Sequence, residues 1–423
     1  MIDLIVIGAG ASGLMGAYAA ASSGLHVLLL EKNPKVGRKI GISGKGRCNL
    51  TNNCDEKTFI DHVITNPRFL YTAIHLLPPS KLMGLVEDHG TKLKTERGDR
   101  VFPVSDRSFD VIDALLDMVK KSGAKLRCNT TVQHVEKTDN GFLVDIGREK
   151  LFARCVLLST GGMSYPATGS TGDGYRFAKA FSLEVNEPLP ALIPLVSDDP
   201  MCRDLMGLSL KNVVLTVSDG SGKKIYRELG EMLFTHFGIS GPLVLSASSY
   251  VQAYLRKHQL TFETAKIKAC VDLKPALDAE MLDKRILRDF EKYHLKELTG
   301  AMNDLVPHRL IPKLIALSGL DPRKRADQIT KEERMRLGRT MKNLVIPIKG
   351  SRPLEEAIVT NGGIAVKQFS PGNMMAKNVP GLFAAGELLD IDALTGGFNL
   401  QSAFATGYAA GLGAADFLQN RSE

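Results

Sequence analysis

The chain has 423 residues, 44% hydrophobic and 24% charged, with a net charge of +8 and a pI near 9.0. That length exceeds one compact core and points to two or three domains, and the composition is that of a globular chain. No apolar run is long enough for a bilayer span, the N-terminus enters a strand without a basic leader, and the six scattered cysteines form no CxxC or Cys/His spacing; a reduced, cytoplasmic setting without membrane or metal is expected.

Asp3-Leu4-Ile5-Val6-Ile7 is a short apolar run that reads as a buried parallel strand. Gly8-Ala9-Gly10-Ala11-Ser12-Gly13 follows, then a small-residue helix to Gly24, then the strand Leu25 to Leu30 closing on Glu31. Strand, glycine turn, helix, strand and acid is the order of a dinucleotide site. Gly8 permits the tight turn, Gly10 lets the backbone approach a diphosphate, and Gly13 lets helix pack on strand. The helix start faces the phosphates, and Glu31 suits ribose hydroxyls. The bare alternative is a βαβ turn with no ligand. Lys32, Gly37, Arg38 and Lys39, then Ser43, Gly44, Lys45, Gly46, Arg47, Cys48 and Asn49, form a glycine-rich loop at the carboxyl edge of the sheet. Its donors suit a ligand-facing loop better than a plain surface one.

Asp110 to Lys121 has helical apolar spacing, while 124–135 and 141–146 alternate as strands around an Asp139-Asn140-Gly141 turn. Cys155 to Ser159 is a buried strand running into Thr160-Gly161-Gly162, and Pro166 to Tyr175 is a second glycine-rich crossing toward the same nucleotide. Prolines 188, 190 and 194 mark an exit from the first domain. Strands over 210–217 and 224–229, with more strand over 261–273, suggest a small β domain that carries His236. Residues 276–338 read as amphipathic and basic helices. From 281 to 342 there are fifteen Lys/Arg and nine Asp/Glu, most of the chain's excess charge. Such a stripe suits a polyanion such as nucleic acid, or is only a solvated helical face. Then Pro380 to Glu387 reads as a strand ending in Gly386-Glu387, and Gly396-Gly397-Phe398-Asn399-Leu400-Gln401 opens a helix over 402–413. This helix start suits negative charge on a reduced ring.

Several of these stretches together resemble the BaiN/RdsA, aminoacetone oxidase-like family of flavoproteins. They are the first glycine turn, Gly37-Arg38-Lys39, Ser43 to Asn52, Thr160-Gly161-Gly162, Thr168 to Tyr175, Leu233 to His236, Ile239 to Pro242 and Val379 to Gln401. Lys45 stands where a third glycine is expected, and Phe398 where a tyrosine is usual. The resemblance implies an α/β, Rossmann-like FAD-binding domain (1–190 and 357–423). Inserted in it are a β-barrel-like domain (191–275 and 339–356) and a small helical basic domain (276–338). It implies FAD contacts from Gly10, Ser12, Gly13, Glu31, Lys32, Arg38, Ser43, Gly44, Asn49, Glu387 and Asn399 to Gln401. Val132 adds an adenine-side backbone contact. Gly8, Ala11, Gly37, Lys39, Thr160, Gly161, Gly386, Gly397 and Phe398 complete the expected cofactor set.

The function expected is reduction of an activated carbon–carbon double bond, with uridine in ribosomal RNA as substrate and the basic segment 281–342 as the RNA contact. Hydride transfer from the flavin needs an acid for the second carbon, and Cys48 and His236 are the candidates. The other readings are a flavin oxidase acting on an amine such as aminoacetone, and a non-catalytic FAD-containing RNA-binding protein. No second strand-GxGxxG-helix unit occurs, so NAD(P)H is expected to visit the flavin as a transient reductant. Oligomeric state is not legible.

Overall fold

Ile2–Ile7 lies between two strands, Val27–Leu30 and Lys150–Leu158, and runs parallel to both. Its backbone is therefore paired on both sides, and its last four residues are buried, which explains the unbroken apolar run. The computed structural model describes residues 1–420. Lys125–Arg127 extends this sheet beyond Val27–Leu30. The far edge of Lys150–Leu158 is shared. Its first half pairs antiparallel with Gly141–Asp145, and its last residues pair parallel with Leu382–Ala384. A strand from the C-terminal part of the chain thus completes the N-terminal sheet.

The region expected as one strand over 124–135 is divided. Asn129 takes a left-handed conformation (φ +50°), and the chain turns so that Asn129 N–H donates to Asn33 O and Thr130 N–H to Glu31 O. Val132 therefore lies in a loop rather than in mid-strand, and His134–Thr138 resumes the sheet.

Two helices cover this sheet, Ala11–Ser22 and Phe398–Gln419. They approach backbone to backbone. A Cβ on Gly407 would stand 2.1 Å from Ser12 O, and one on Gly411 2.4 Å from Gly16 O. A Cβ on Gly16 would meet Leu157 Cδ2 at 2.6 Å. Glycine inside a helix costs about 1 kcal/mol relative to alanine, but no other residue permits this contact. Leu4, Leu14, Leu157, Phe383 and Phe404 fill the same core.

The chain divides into two compact units: Met1–Ala191 with the chain from Pro353 onward, and Leu192–Arg352. In the first, Val185–Ala191 pairs antiparallel with Val359–Ile364, with a register shift between Asn186 and Leu189 that accommodates Pro188. In the second, an antiparallel sheet runs in the order Leu344–Pro347, Lys268–Asp272, Ser209–Ser218, Lys224–Thr235, Gly238–Ser240, Leu195–Val196 and Gly350–Ser351. Its two outer members are consecutive in the chain, and Ile348 N–H and Lys349 N–H reach Ile267 O and Val196 O. One short stretch thus bonds to both edges of the sheet.

Pro242–His258 is a helix that the sequence reading did not identify, although Pro242 stands at a position that favours a helix start. The stretch expected as strand over 261–273 opens instead with a helical turn, Phe262–Ala265, because Thr261 and Thr264 form a reciprocal cap. The helices Ala279–Lys292 and Lys331–Lys342 bury Leu282, Ile286, Leu337 and Met341 in the same apolar cluster as Val217 and Val271 of the sheet. Strands and helices of this unit share one core.

Gly407→Val is expected to destabilise the protein by at least about 1–3 kcal/mol, read by urea denaturation. Gly84 is the control. It lies in the helix Pro79–Asp88, and a Cβ there meets nothing within 4 Å. Gly84→Ala is expected to stabilise by about 0.5–1 kcal/mol.

Candidate functional site

Gly8 has φ +102°, and a Cβ there would stand 2.6 Å from Ser159 O. A Cβ on Gly13 would stand 1.8 Å from Gly8 O. The chain's own backbone therefore requires both glycines. Gly10 differs, because a Cβ there meets nothing within 4 Å. It borders a cavity in the first unit, with Gly8, Ala11 and Ser12 beside it. The helix Ala11–Ser22 begins there with no side-chain cap, so its first N–H groups are available to an anion.

On one side of this turn, Glu31 Oε2 accepts the Ala9 N–H at 2.9 Å. Glu31 Oε1 accepts from the Asn33 N–H and amide at 2.8 and 2.7 Å. An ionised carboxylate offers about four acceptor positions, so capacity remains for a hydroxyl. Thr130 and Val132 line the cavity beside it. Lys32 pairs with Asp173 at 2.7 Å and donates to Thr171 Oγ1 at 2.6 Å. This brings the second glycine-rich crossing, Thr168 to Asp173, onto the same cavity. Gly37 and Arg38 also line it, and Arg38 donates to Asn33 Oδ1 at 2.7 Å.

On the other side, a Cβ on Gly386 would stand 2.5 Å from Ser12 Oγ, so Gly386-Glu387 abuts the same helix start. Lys39 pairs with Glu387 at 2.5 Å, and Glu387 also accepts from Ser164 Oγ and the Thr360 N–H at 2.8 and 2.9 Å. Burial opposes ionisation of Glu387, but the Lys39 charge and these hydrogen bonds outweigh it and hold the carboxyl below its usual range. Ser43, Thr160, Gly161, Asn399 and Leu400 complete this side. The Thr160 Oγ1 hydroxyl is buried with no partner among the described residues. The cavity thus runs from Glu31, past the glycine turn, to Glu387.

Other expected residues serve the walls from behind. Gln401 is buried, accepting from Thr51 Oγ1 and donating to Leu77 O, both at 2.7 Å. With its amide oxygen turned toward Gly397, the orientation that satisfies both of its polar atoms, Asn49 accepts the Gly397 N–H at 3.1 Å and donates to Thr51 O at 3.2 Å. A Cβ on Gly44 would press on Asn49 N at 2.7 Å, and one on Gly397 on Thr51 C at 2.3 Å. The Phe398 ring stacks on His62 (4.4 Å between centroids) and leans on Phe59. None of these five, nor Gly13, lines the cavity. Asn399 does, while its amide clasps Ala393 N–H and O at 2.9 and 2.8 Å.

The two proton-donor candidates fare differently. Cys48 is fully buried and does not line the cavity. Desolvation pushes its thiol up to about 12, against a hydrogen bond with Ser43. As a core side chain it has no route to a substrate. His236 lies in the second unit and is exposed, edge-on to Phe237. Lys45 has φ +60° and ψ +42°, which is why a glycine is expected there.

Sequence reasoning missed Ser402, Ala403 and Thr406, which line the cavity after Asn399. Their signal was the helical spacing that follows Gly397. It also missed Ser164 and Thr360, whose roles depend on strands far apart in the sequence.

The open face at Gly10, the uncapped helix start and the spare acceptor capacity of Glu31 fit a dinucleotide's diphosphate and ribose. A model of the HI0933-like protein Rossmann domain matches residues 2–413. The ribosomal RNA dihydrouridine synthase of Escherichia coli (strain K12) is 30% identical over 409 residues, 96% of this chain and 96% of that protein. The 3-dehydro-bile acid delta(4,6)-reductase of Clostridium scindens is 28% identical over 415 residues, 97% of this chain and 98% of that protein. Among solved structures, 3-ketosteroid-delta4-(5alpha)-dehydrogenase from Rhodococcus jostii RHA1 gives a TM-score of 0.52 at 16% identity, covering 98% of this chain and 96% of that one. That likeness establishes the fold alone. By the family model and the full-length relative, the chain belongs to the HI0933-like Rossmann family, a family of FAD-dependent oxidoreductases.

Proposed function

We propose that this protein uses FAD and NAD(P)H to reduce an activated carbon–carbon double bond, with uridine in ribosomal RNA as its substrate. The observation that carries this reading is the full-length likeness to a protein named for dihydrouridine synthesis in ribosomal RNA. FAD, when bound, supplies the two-electron transfer that side chains of this kind cannot. Glu31 holds the ribose, the start of Ala11–Ser22 holds the diphosphate, and the start of Phe398–Gln419 faces the ring. Uridine has its double bond conjugated to a carbonyl, so saturating it requires a proton at the second carbon. Of the two candidates, the Cys48 thiol is sealed in the core and does not line the cavity, which leaves His236 as the candidate to test.

Charge in the second unit supports an anionic substrate. Much of the basic segment is neutralised: Lys324 pairs with Glu333, Arg334 with Asp283 and Lys292 with Asp304 within it, and Lys342 with Asp272 just outside it. Arg323, Lys331, Arg336 and Arg339 are exposed, with no ion-pair partner among the described residues. The last three lie on one helix, Lys331–Lys342, and Arg336 and Arg339, three residues apart, are neighbours on its surface.

A second reading is favoured by the similarity to a bile acid delta(4,6)-reductase: the substrate is a small, apolar, carbonyl-conjugated alkene. Deleting the gene and mapping dihydrouridine in ribosomal RNA separates the two. Loss of the modification, restored by wild type and Cys48→Ala but not by His236→Asn, is the expected result. Unchanged dihydrouridine in the deletion strain overturns the RNA reading.

Arg336→Glu with Arg339→Glu is expected to weaken RNA binding and flatten its dependence on salt, since each lost phosphate contact removes about one unit of slope. Filter binding across a salt series measures this. Gly10→Val is expected to lower FAD affinity at least tenfold while leaving the apo-protein's stability within about 0.5 kcal/mol. Gly13→Ala is expected to lower stability itself, by about 1–3 kcal/mol or more. Fluorescence titration with FAD and urea denaturation of the apo-protein distinguish them.

A further inference from the structure

The Glu387 end of the cavity carries a closed ring of polar contacts. Lys39 Nζ donates to Ser164 Oγ and to Glu387 Oε2, both at 2.5 Å, and Ser164 Oγ donates to Glu387 Oε1 at 2.8 Å. The Thr360 N–H holds that same Oε1 at 2.9 Å. Gly162 backs the ring, since a Cβ there would stand 2.4 Å from Thr360 Oγ1 and 3.0 Å from Glu387 Oε1. Ser164 is completely buried, while Lys39 and Glu387 both line the cavity. An ammonium has three N–H donors, and two of these point into the ring. The third has no acceptor among the described residues.

The rest of the cavity accounts for the other parts of a dinucleotide. Glu31 and the 130–132 loop suit ribose and base, and the start of Ala11–Ser22 suits the diphosphate. Resting on the FAD reading above, the Glu387 end receives the redox-active ring. Reduction adds negative charge to that ring, and a fixed cation with one unused donor stabilises it. A carboxylate tied to the same cation weakens that effect, because the pair is neutral in sum.

We propose that Lys39 is a positioning residue that aims one fixed positive charge at the redox ring, and that Glu387, tied to it directly and through Ser164, limits how strongly the cofactor feels that charge. The two side chains therefore act on the reduction potential with opposite sign. A merely structural ion pair would show no such opposition, because losing either partner would loosen the site in the same way.

The test is the midpoint potential of FAD bound to wild type, Lys39→Met, Lys39→Arg and Glu387→Gln, read from absorbance during titration against reference dyes. FAD dissociation constants are measured alongside. Lys39→Met is expected to shift the reduced-to-oxidised equilibrium at least tenfold toward oxidised, about 30 mV for a two-electron couple. Lys39→Arg is expected to stay within threefold of wild type. Glu387→Gln is expected to shift at least threefold toward reduced. Shifts of the same sign in Lys39→Met and Glu387→Gln, or no shift in either with FAD bound, overturn the inference and leave the FAD reading standing. If Lys39→Met no longer takes up FAD, the Glu387→Gln shift decides alone: toward reduced supports the inference, and any other result overturns it. A wild-type protein that takes up no FAD overturns the FAD reading itself.

Discussion

The contact on which the first unit depends is the backbone-to-backbone packing of Ala11–Ser22 against Phe398–Gln419 through Gly16, Gly407 and Gly411. Helices with larger residues at the contact sit 8–10 Å apart. Here the Cβ positions are occupied by the neighbouring helix's own backbone. This approach brings the starts of both helices to one cavity, so two sets of free N–H groups and two positive dipole ends face the same space. Neither helix start carries a side-chain cap. An isolated protein would gain from capping them. Leaving both uncapped makes sense where a ligand supplies the acceptors.

The same geometry explains why the polypeptide is interrupted rather than extended. Leu382–Ala384 enters beside the last residues of Lys150–Leu158, a position that the N-terminal segments leave open. The chain departs along Val185–Ala191 and returns along its antiparallel partner Val359–Ile364. An insertion leaving and returning on paired strands does not strain the sheet that holds the cavity. Loop-closure entropy grows slowly with length, so a long excursion costs little more than a short one.

How much of this was legible in the sequence follows from how local each constraint is. The βαβ turn was legible because strand, turn, helix and acid are adjacent, and each glycine's reason lies within a few residues or across one strand. The insertion was visible in its prolines and its change of style. Lys45 was marked as a departure from glycine, and its left-handed conformation supplies the reason. Val132 lines the cavity but lies in a loop, not in the middle of a strand, because the break depends on Asn129 bonding back to Asn33. Gln401 and Phe398 belong to the cofactor set that the family resemblance implies. A helix presents only part of its circumference to the cavity, and those two face Thr51 and His62 instead. That rotation is set by the glycine contacts with the N-terminal helix, over 380 residues away in sequence for Ser12 and Gly407.

Cys48 shows how a motif can be specific without its most reactive residue being the reactive one. The Ser43 to Asn49 loop turns through left-handed Gly44, Lys45 and Gly46 and, past a right-handed Arg47, left-handed Cys48. Its close contacts run inward, from Gly44 to Asn49 and from Asn49 to Gly397. A thiol is small and apolar enough to fill the space beneath such a turn, and free cysteine is among the most buried residue types. Burial raises its pKa, which removes the thiolate that would make it a nucleophile. What the loop contributes to chemistry is therefore its shape: Ser43 on the cavity wall, Asn49 fastening the start of the C-terminal helix, and Cys48 packed underneath as filler.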